Sequence, residues 1–292
     1  MKKTLLVFTL VAILSACNKD DDPAATTDLT LSITNLEASA ADEAYEGWVI
    51  VNGAPVSTGT FTVDANGTMS QTKFPVDATM LAAATTFVLS IEPVPDSDPT
   101  PSAIKILGGD FSGSSATINS AHGAALGADF ASATGTAILA TPTTATTDDE
   151  LSGIWFLSLA TGSPAAGLSL PTLPSGWKYE GWAVIDGTPV TSGTFLAVDT
   201  EDDSAPFSGP DMGPPFPGED FVANAPSGMM FPTDLSSATL VISIEPSPDN
   251  SDSPFMFKPL VVGLSGAADH VDYEMSNMSG NFPSGTVTRE EI

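Results

Sequence analysis

The residues from Tyr45 to Phe61 return from Tyr179 to Phe195 with 10 of 17 positions identical and the other seven exchanged conservatively. Both stretches open Tyr-Glu-Gly-Trp, pass through a Gly turn followed by Pro-Val, and close on Gly-Thr-Phe. A second pair joins Leu89-Ser90-Ile91-Glu92-Pro93 to Ile242-Ser243-Ile244-Glu245-Pro246, each followed by a Pro-Asp loop. The first pair is offset by 134 residues and the second by 153, so the second copy carries an insertion, around Glu201 to Ser227. Solenoid repeats are about 20–45 residues long, so a period near 140 marks a duplicated domain. A chain of 292 residues has room for two such units, each with its own core.

Within each copy the pattern is that of strands. Phe87, Leu89 and Ile91 alternate with Val88, Ser90 and Glu92, and Leu240, Ile242 and Ile244 repeat that period of two. Asn52-Gly53 and Asp186-Gly187 are hairpin pairs, because a type I′ turn needs positive φ at both central residues. Further strands are expected at 29–36, 56–63, 103–107, 116–119 and 135–140, then at 154–159, 190–198, 259–264, 271–275 and 285–288. No helix is expected beyond the N-terminal segment. About seven short strands per copy, separated by turn residues, predict an all-β chain of two tandem immunoglobulin-like antiparallel β-sandwich domains. The expected units are 29–141 and 151–292, joined by a Thr- and Asp-rich linker at 142–150.

The N-terminus reads as an address. Lys2 and Lys3 precede an apolar run from Thr4 to Leu14, and Ala16 supplies the small residue of a cleavage site, so residues 1–16 form a signal peptide. That run is shorter than the ~20 residues a membrane-spanning helix needs. Leu14-Ser15-Ala16-Cys17 resembles the bacterial lipobox, which implies that Cys17 is lipidated and that 17–28 is an acidic tether. The Lys19-Asp20-Asp21-Asp22 run is similar to a surface-export signal of lipoproteins, which implies an outer-membrane lipoprotein exposed at the cell surface. Cys17 is the only cysteine, so neither an intramolecular disulfide nor a cysteine zinc site can form.

The run from Leu170 through Trp177-Lys178-Tyr179-Glu180-Gly181-Trp182 to Gly193-Thr194-Phe195, with Ser243-Ile244-Glu245-Pro246, resembles the extracytoplasmic C-terminal domain of anti-sigma-K factors. The first copy matches the same pattern, apart from its approach at 37–42. The resemblance implies a role in sensing or contacting an envelope component. The family's cytoplasmic sigma-binding domain and membrane helix have no counterpart ahead of the first copy, so no direct hold on a cytoplasmic sigma factor is expected.

Composition narrows the remaining classes. The formal net charge is −28, yet only 15% of residues are charged and 42% are hydrophobic, which excludes an acidic disordered tail. Without clustered Lys or Arg there is no nucleic-acid footprint. His122 and His270 fall at unmatched positions, and phosphate loops and a Gly-x-Ser-x-Gly elbow are absent from the sequence, so no enzyme is expected. Tyr45, Trp48, Tyr179 and Trp182 are expected as packing residues, with an aromatic binding surface as the alternative. Glu92 and Glu245, at strand ends before Pro, are expected to brace a corner. Asp96 and Asp98, with Asp249 and Asp252, are candidate Ca²⁺ ligands, because a hard cation takes carboxylate oxygens. No other cofactor is expected. The leading reading is a lipid-anchored, non-catalytic envelope protein that meets another envelope protein or a glycan; the alternative is a carbohydrate- or calcium-binding surface module.

Overall fold

The structure is a computed structural model that describes residues 25–249 and 251–290. The expected signal peptide, Cys17 and most of the tether lie outside the described residues. The first half contains β1 (Thr26–Thr34), β2 (Glu43–Val51), β3 (Ala54–Phe61), β4 (Lys73–Asp77), α1 (Ala78–Ala83), β5 (Thr86–Pro93), β6 (Lys105–Asp110), β7 (Ser115–Asn119) and β8 (Thr134–Leu139). The second contains β9 (Gly153–Trp155), β10 (Leu157–Ser158), β11 (Ala165–Ala166), β12 (Leu168–Ser169), β13 (Trp177–Ile185), β14 (Thr188–Phe195), β15 (Gly218–Asp220), β16 (Thr239–Pro246), β17 (Leu260–Gly263), β18 (Tyr273–Asn277) and β19 (Ser284–Arg289). The chain is nearly all β. The expectation of no helix is corrected by α1, a single short element whose N-cap Asp77 accepts from the Met80 N–H at 2.9 Å.

Two antiparallel sheets dominate. One runs β3-β2-β5-β6-β7-β19-β1-β4, the other β14-β13-β16-β17-β18-β8-β9-β15, with β12 attached to β8. The orders match strand for strand, and the match exposes an exchange. Strand β8 follows β7 in the chain but pairs with β18 and β9 in the second sheet. Strand β19 follows β18 but lies between β7 and β1 in the first. Each expected unit thus completes the other's sheet, in the manner of a domain swap within one chain. The crossing segments touch where Phe130 meets Phe282 at 5.7 Å between ring centroids.

Arg289, the only arginine, locks the incoming strand. Its guanidinium donates to the carbonyls of Ala84 at 3.0 Å and Gly113 at 2.9 Å, and to that of Leu81. It also lies 4.4 Å from the Phe111 ring centroid. Thr141 and Thr143, at the start of the expected linker, are buried, and Thr143 N–H donates to Asp220 at 2.7 Å.

Hairpin β2–β3 turns through Asn52 and Gly53 at φ 51° and 80°, and β13–β14 through Asp186 and Gly187 at 51° and 84°. Both central residues sit in the left-handed region, as a type I′ turn requires. Each hairpin then carries a bulge on its outer strand, where Thr58 and Ser192 are the extra residues opposite the Gly47–Trp48 and Gly181–Trp182 steps. A Cβ on Gly47 would meet Thr58 Oγ1 at 2.5 Å, and on Gly181 Ser192 Oγ at 2.3 Å, so only glycine allows this approach. Strand β4 sits at the sheet edge, where Pro75 costs no ladder bond.

Alternation along β2 and β13 sends Tyr45, Val49, Tyr179 and Ala183 into the main core. Tyr45 stacks on Phe61 at 5.5 Å and Tyr179 on Phe195 at 5.6 Å. Each tyrosine hydroxyl donates to a carbonyl on the preceding approach, Tyr45 to Glu37 at 2.8 Å and Tyr179 to Pro171 at 2.6 Å. Among the described residues, no helix is long and apolar enough to cross a membrane.

Candidate functional site

The face of β2 and β5 opposite the core is also buried, and it is polar. Glu46 and Trp48 project there from β2, and Val88, Ser90 and Glu92 from β5. Trp48 Nε1 donates to Ser90 Oγ at 2.8 Å, and Ser90 Oγ in turn donates to Glu92. Ser57 donates to Glu46 across the hairpin. Glu92 also accepts the Ser102 N–H at 2.9 Å, pinning the loop that leads to β6. The second copy rebuilds this network: Trp182 Nε1 to Ser243 Oγ at 2.8 Å, Thr191 to Glu180, and Phe255 N–H to Glu245 at 2.8 Å.

Trp48 and Trp182 are therefore buried at 2% exposure each, but within a hydrogen-bonded face rather than the main apolar core. Glu46 and Glu180 were not singled out from the sequence. The signal was available: a glutamate at the same place in both copies, inside an otherwise apolar strand.

The copies differ in how their acids are satisfied. Glu180 Oε2 and Glu245 Oε2 are buried without a hydrogen-bond partner. Asp249, at the turn after β16, brings a carboxylate oxygen to within 4.8 Å of oxygens from both. Burial pushes Glu180 up to about 8, helped by the negative charges of Glu245 and Asp249 and opposed by the Thr191 hydroxyl. Burial likewise raises Glu245 to about 7. Glu46 is raised more modestly, again chiefly by burial. Of the four expected cation ligands only Asp249 joins this group. Asp96 and Asp98 lie in an exposed loop and accept backbone N–H groups two residues on, and Asp252 is exposed.

A cleft of about 520 Å³ opens beside Asp249. Its walls come from both copies, with Glu37, Asp42, Glu43 and Tyr45 on one side and Asp249, Pro254 and Phe255 on the other. Lys258 reaches across to Glu37 at 2.8 Å.

A second buried acid pair lies in the insertion, also unforeseen. Asp220 accepts from Trp155 Nε1 at 2.8 Å, and Glu219 accepts from the Ser208 hydroxyl at 2.6 Å and the Phe207 N–H at 3.1 Å. Burial, with the Asp202 charge adding, raises Glu219 from 4.5 to about 8. An acid raised on folding binds its proton more tightly in the native state. Its contribution to stability is complete below the unfolded value and is lost as pH rises through the folded one. Glu219→Gln is expected to match wild type near pH 4 and to exceed it near pH 8.5 by on the order of 4 kcal/mol. Urea titrations at the two pH values check this. An unchanged pH dependence in the variant would show that Glu219 is ionised in the fold.

Comparison with curated proteins and with solved structures gives no match. The family model described as Anti-sigma-K factor rskA, C-terminal, matches residues 19–104, a span that includes β1 through β5. Residues 19–104 are thus similar to that domain, and the matched span holds the Tyr-Glu-Gly-Trp hairpin and the Ser-Ile-Glu-Pro strand of the first half.

Proposed function

We propose that this chain is a non-catalytic, lipid-anchored envelope protein whose paired anti-sigma-K-factor-like units sense or contact another envelope component. The match of residues 19–104 to the C-terminal domain of anti-sigma-K factors carries this reading. The lipobox-like Leu14-Ser15-Ala16-Cys17 supports the anchor and the outer-membrane surface location. The acids described above sit in structural networks with tryptophan, serine and backbone donors, and neither histidine joins them. That arrangement favours a binding role over catalysis. A cleft walled by both copies gives such a component a place to meet the pair.

The reading is tested in cells with an epitope-tagged chain. Wild type is expected to incorporate labelled palmitate and to fractionate with membranes, and Cys17→Ser to do neither. Photo-crosslinkers at Glu43 and Ser251 in the cleft are expected to trap a reproducible envelope adduct that a crosslinker at Gly162 does not. A membrane-free wild type, or no adduct from the cleft positions, overturns the proposal.

A further inference from the structure

We propose that Glu180, Glu245 and Asp249 form a site for one hard divalent cation, Ca²⁺ in the first instance. Three carboxylates place oxygens within 4.8 Å of one another, a spacing that one ion with oxygens at about 2.3–2.6 Å spans. Two of the three side chains are almost fully buried, Glu180 at 5% and Glu245 at 0% exposure. Each of these keeps one oxygen, Oε2, with no donor in the fold. A buried carboxylate oxygen without a donor is costly, and the Thr191 hydroxyl and Phe255 N–H that bond these two acids reach only their other oxygens. No ion pair among the described residues includes any of the three acids, and the nearby Lys258 is bonded to Glu37.

The donor set selects the ion. All-oxygen, all-anionic ligands suit Ca²⁺, Mg²⁺ or Mn²⁺ and not the softer metals that take Cys or His. The carboxylates supply three oxygens if each binds through one and six if each binds through both, and the open cleft beside Asp249 admits water for the remainder. Glu37, Asp42 and Glu43 line that cleft and concentrate cations at its mouth.

The first copy is a control inside the same molecule. Glu46, Glu92 and Asp96 occupy the matching sequence positions. There, however, neither oxygen of Glu92 lacks a donor, both receiving the Ser102 N–H at 2.9 and 3.2 Å and Oε1 the Ser90 hydroxyl. The site is therefore expected once per chain. This inference does not depend on the proposed envelope role.

Calorimetric titration of the chain at neutral pH, stripped of metal with a chelator, tests the site. Ca²⁺ is expected to bind with a stoichiometry of one and to raise Tm by about 3–6 °C at about 10 mM. Glu180→Gln and Asp249→Asn should each remove the heat and the shift, while Glu92→Gln keeps both. Asp249 is only partly buried, so its variant stays folded even where Glu180→Gln does not. No heat and no shift with Ca²⁺, Mg²⁺ or Mn²⁺ overturns the proposal. So does a Tm that rises equally in Asp249→Asn with and without Ca²⁺, the signature of carboxyls sharing a proton.

Discussion

A chain ending at Met278 is expected to lose its first sheet while keeping its second. Removing β19 takes out an interior strand, paired with β1 from Leu29↔Arg289 to Thr34↔Ser284 and with β7 from Ser284↔Asn119 to Thr288↔Ser115. It also removes fully buried Val287 and the Arg289 contacts that tie the strand to α1 and Gly113. Strands β1 and β4 then have no ladder joining them to β7, and two rows of backbone groups lose their partners. That loss exceeds the ~5–15 kcal/mol by which a domain is stable. The second sheet draws only on residues 134–277 and remains whole.

Hydrogen exchange read by mass spectrometry is expected to show protection at β13 and β16 and none at β2 and β5. A peptide of residues 279–290 added in trans should restore protection at β2. Were β8 to return to the sheet of its own repeat, protection would instead move to β2 and leave β13. Full protection of both sheets without β19 would show that the exchange contributes nothing to stability.

How much of this could be read from sequence depends on which physical signal each element carries. Hairpins β2–β3 and β13–β14 are written plainly, because Asn-Gly and Asp-Gly supply positive φ and the flanking residues alternate. Strand β4 is hidden by Pro75, which only an edge tolerates, and edge position is a property of the folded sheet. Strand β15 reads Gly218-Glu219-Asp220, and those acids are buried only because Ser208, Thr143 and Trp155 converge on them.

The exchange has a different cause. Thr134-Gly135-Thr136-Ala137 and Ser284-Gly285-Thr286-Val287 carry nearly the same pattern, and such a pattern specifies a face and not which of two similar sheets receives the strand. The acid cluster was half legible. Asp249 stood out in its loop, but its meeting with Glu180 follows from the register Glu180↔Ser243, which sets Glu245 on the same face two residues on.

Trp48→Ala and Trp182→Ala are each expected to destabilise the chain by about 3–5 kcal/mol. Both indoles are at 2% exposure, so truncation leaves a cavity that a bulged hairpin held by Gly47 or Gly181 cannot close by shifting inward. A second loss follows from the hydrogen bonds. Ser90 Oγ receives the Trp48 N–H and donates to Glu92, and Ser243 Oγ receives that of Trp182. Without the indole each hydroxyl loses its donor in a buried polar face, adding to the apolar term. Trp→Phe separates the two terms, since it retains most of the ring but not the N–H. That variant is expected to cost about 1–2 kcal/mol, and Trp→Ala the full amount, in urea unfolding monitored by circular dichroism. The matched environments predict matched values at 48 and 182. Losses within about 0.5 kcal/mol would place both rings at the surface and make them an aromatic patch for a partner.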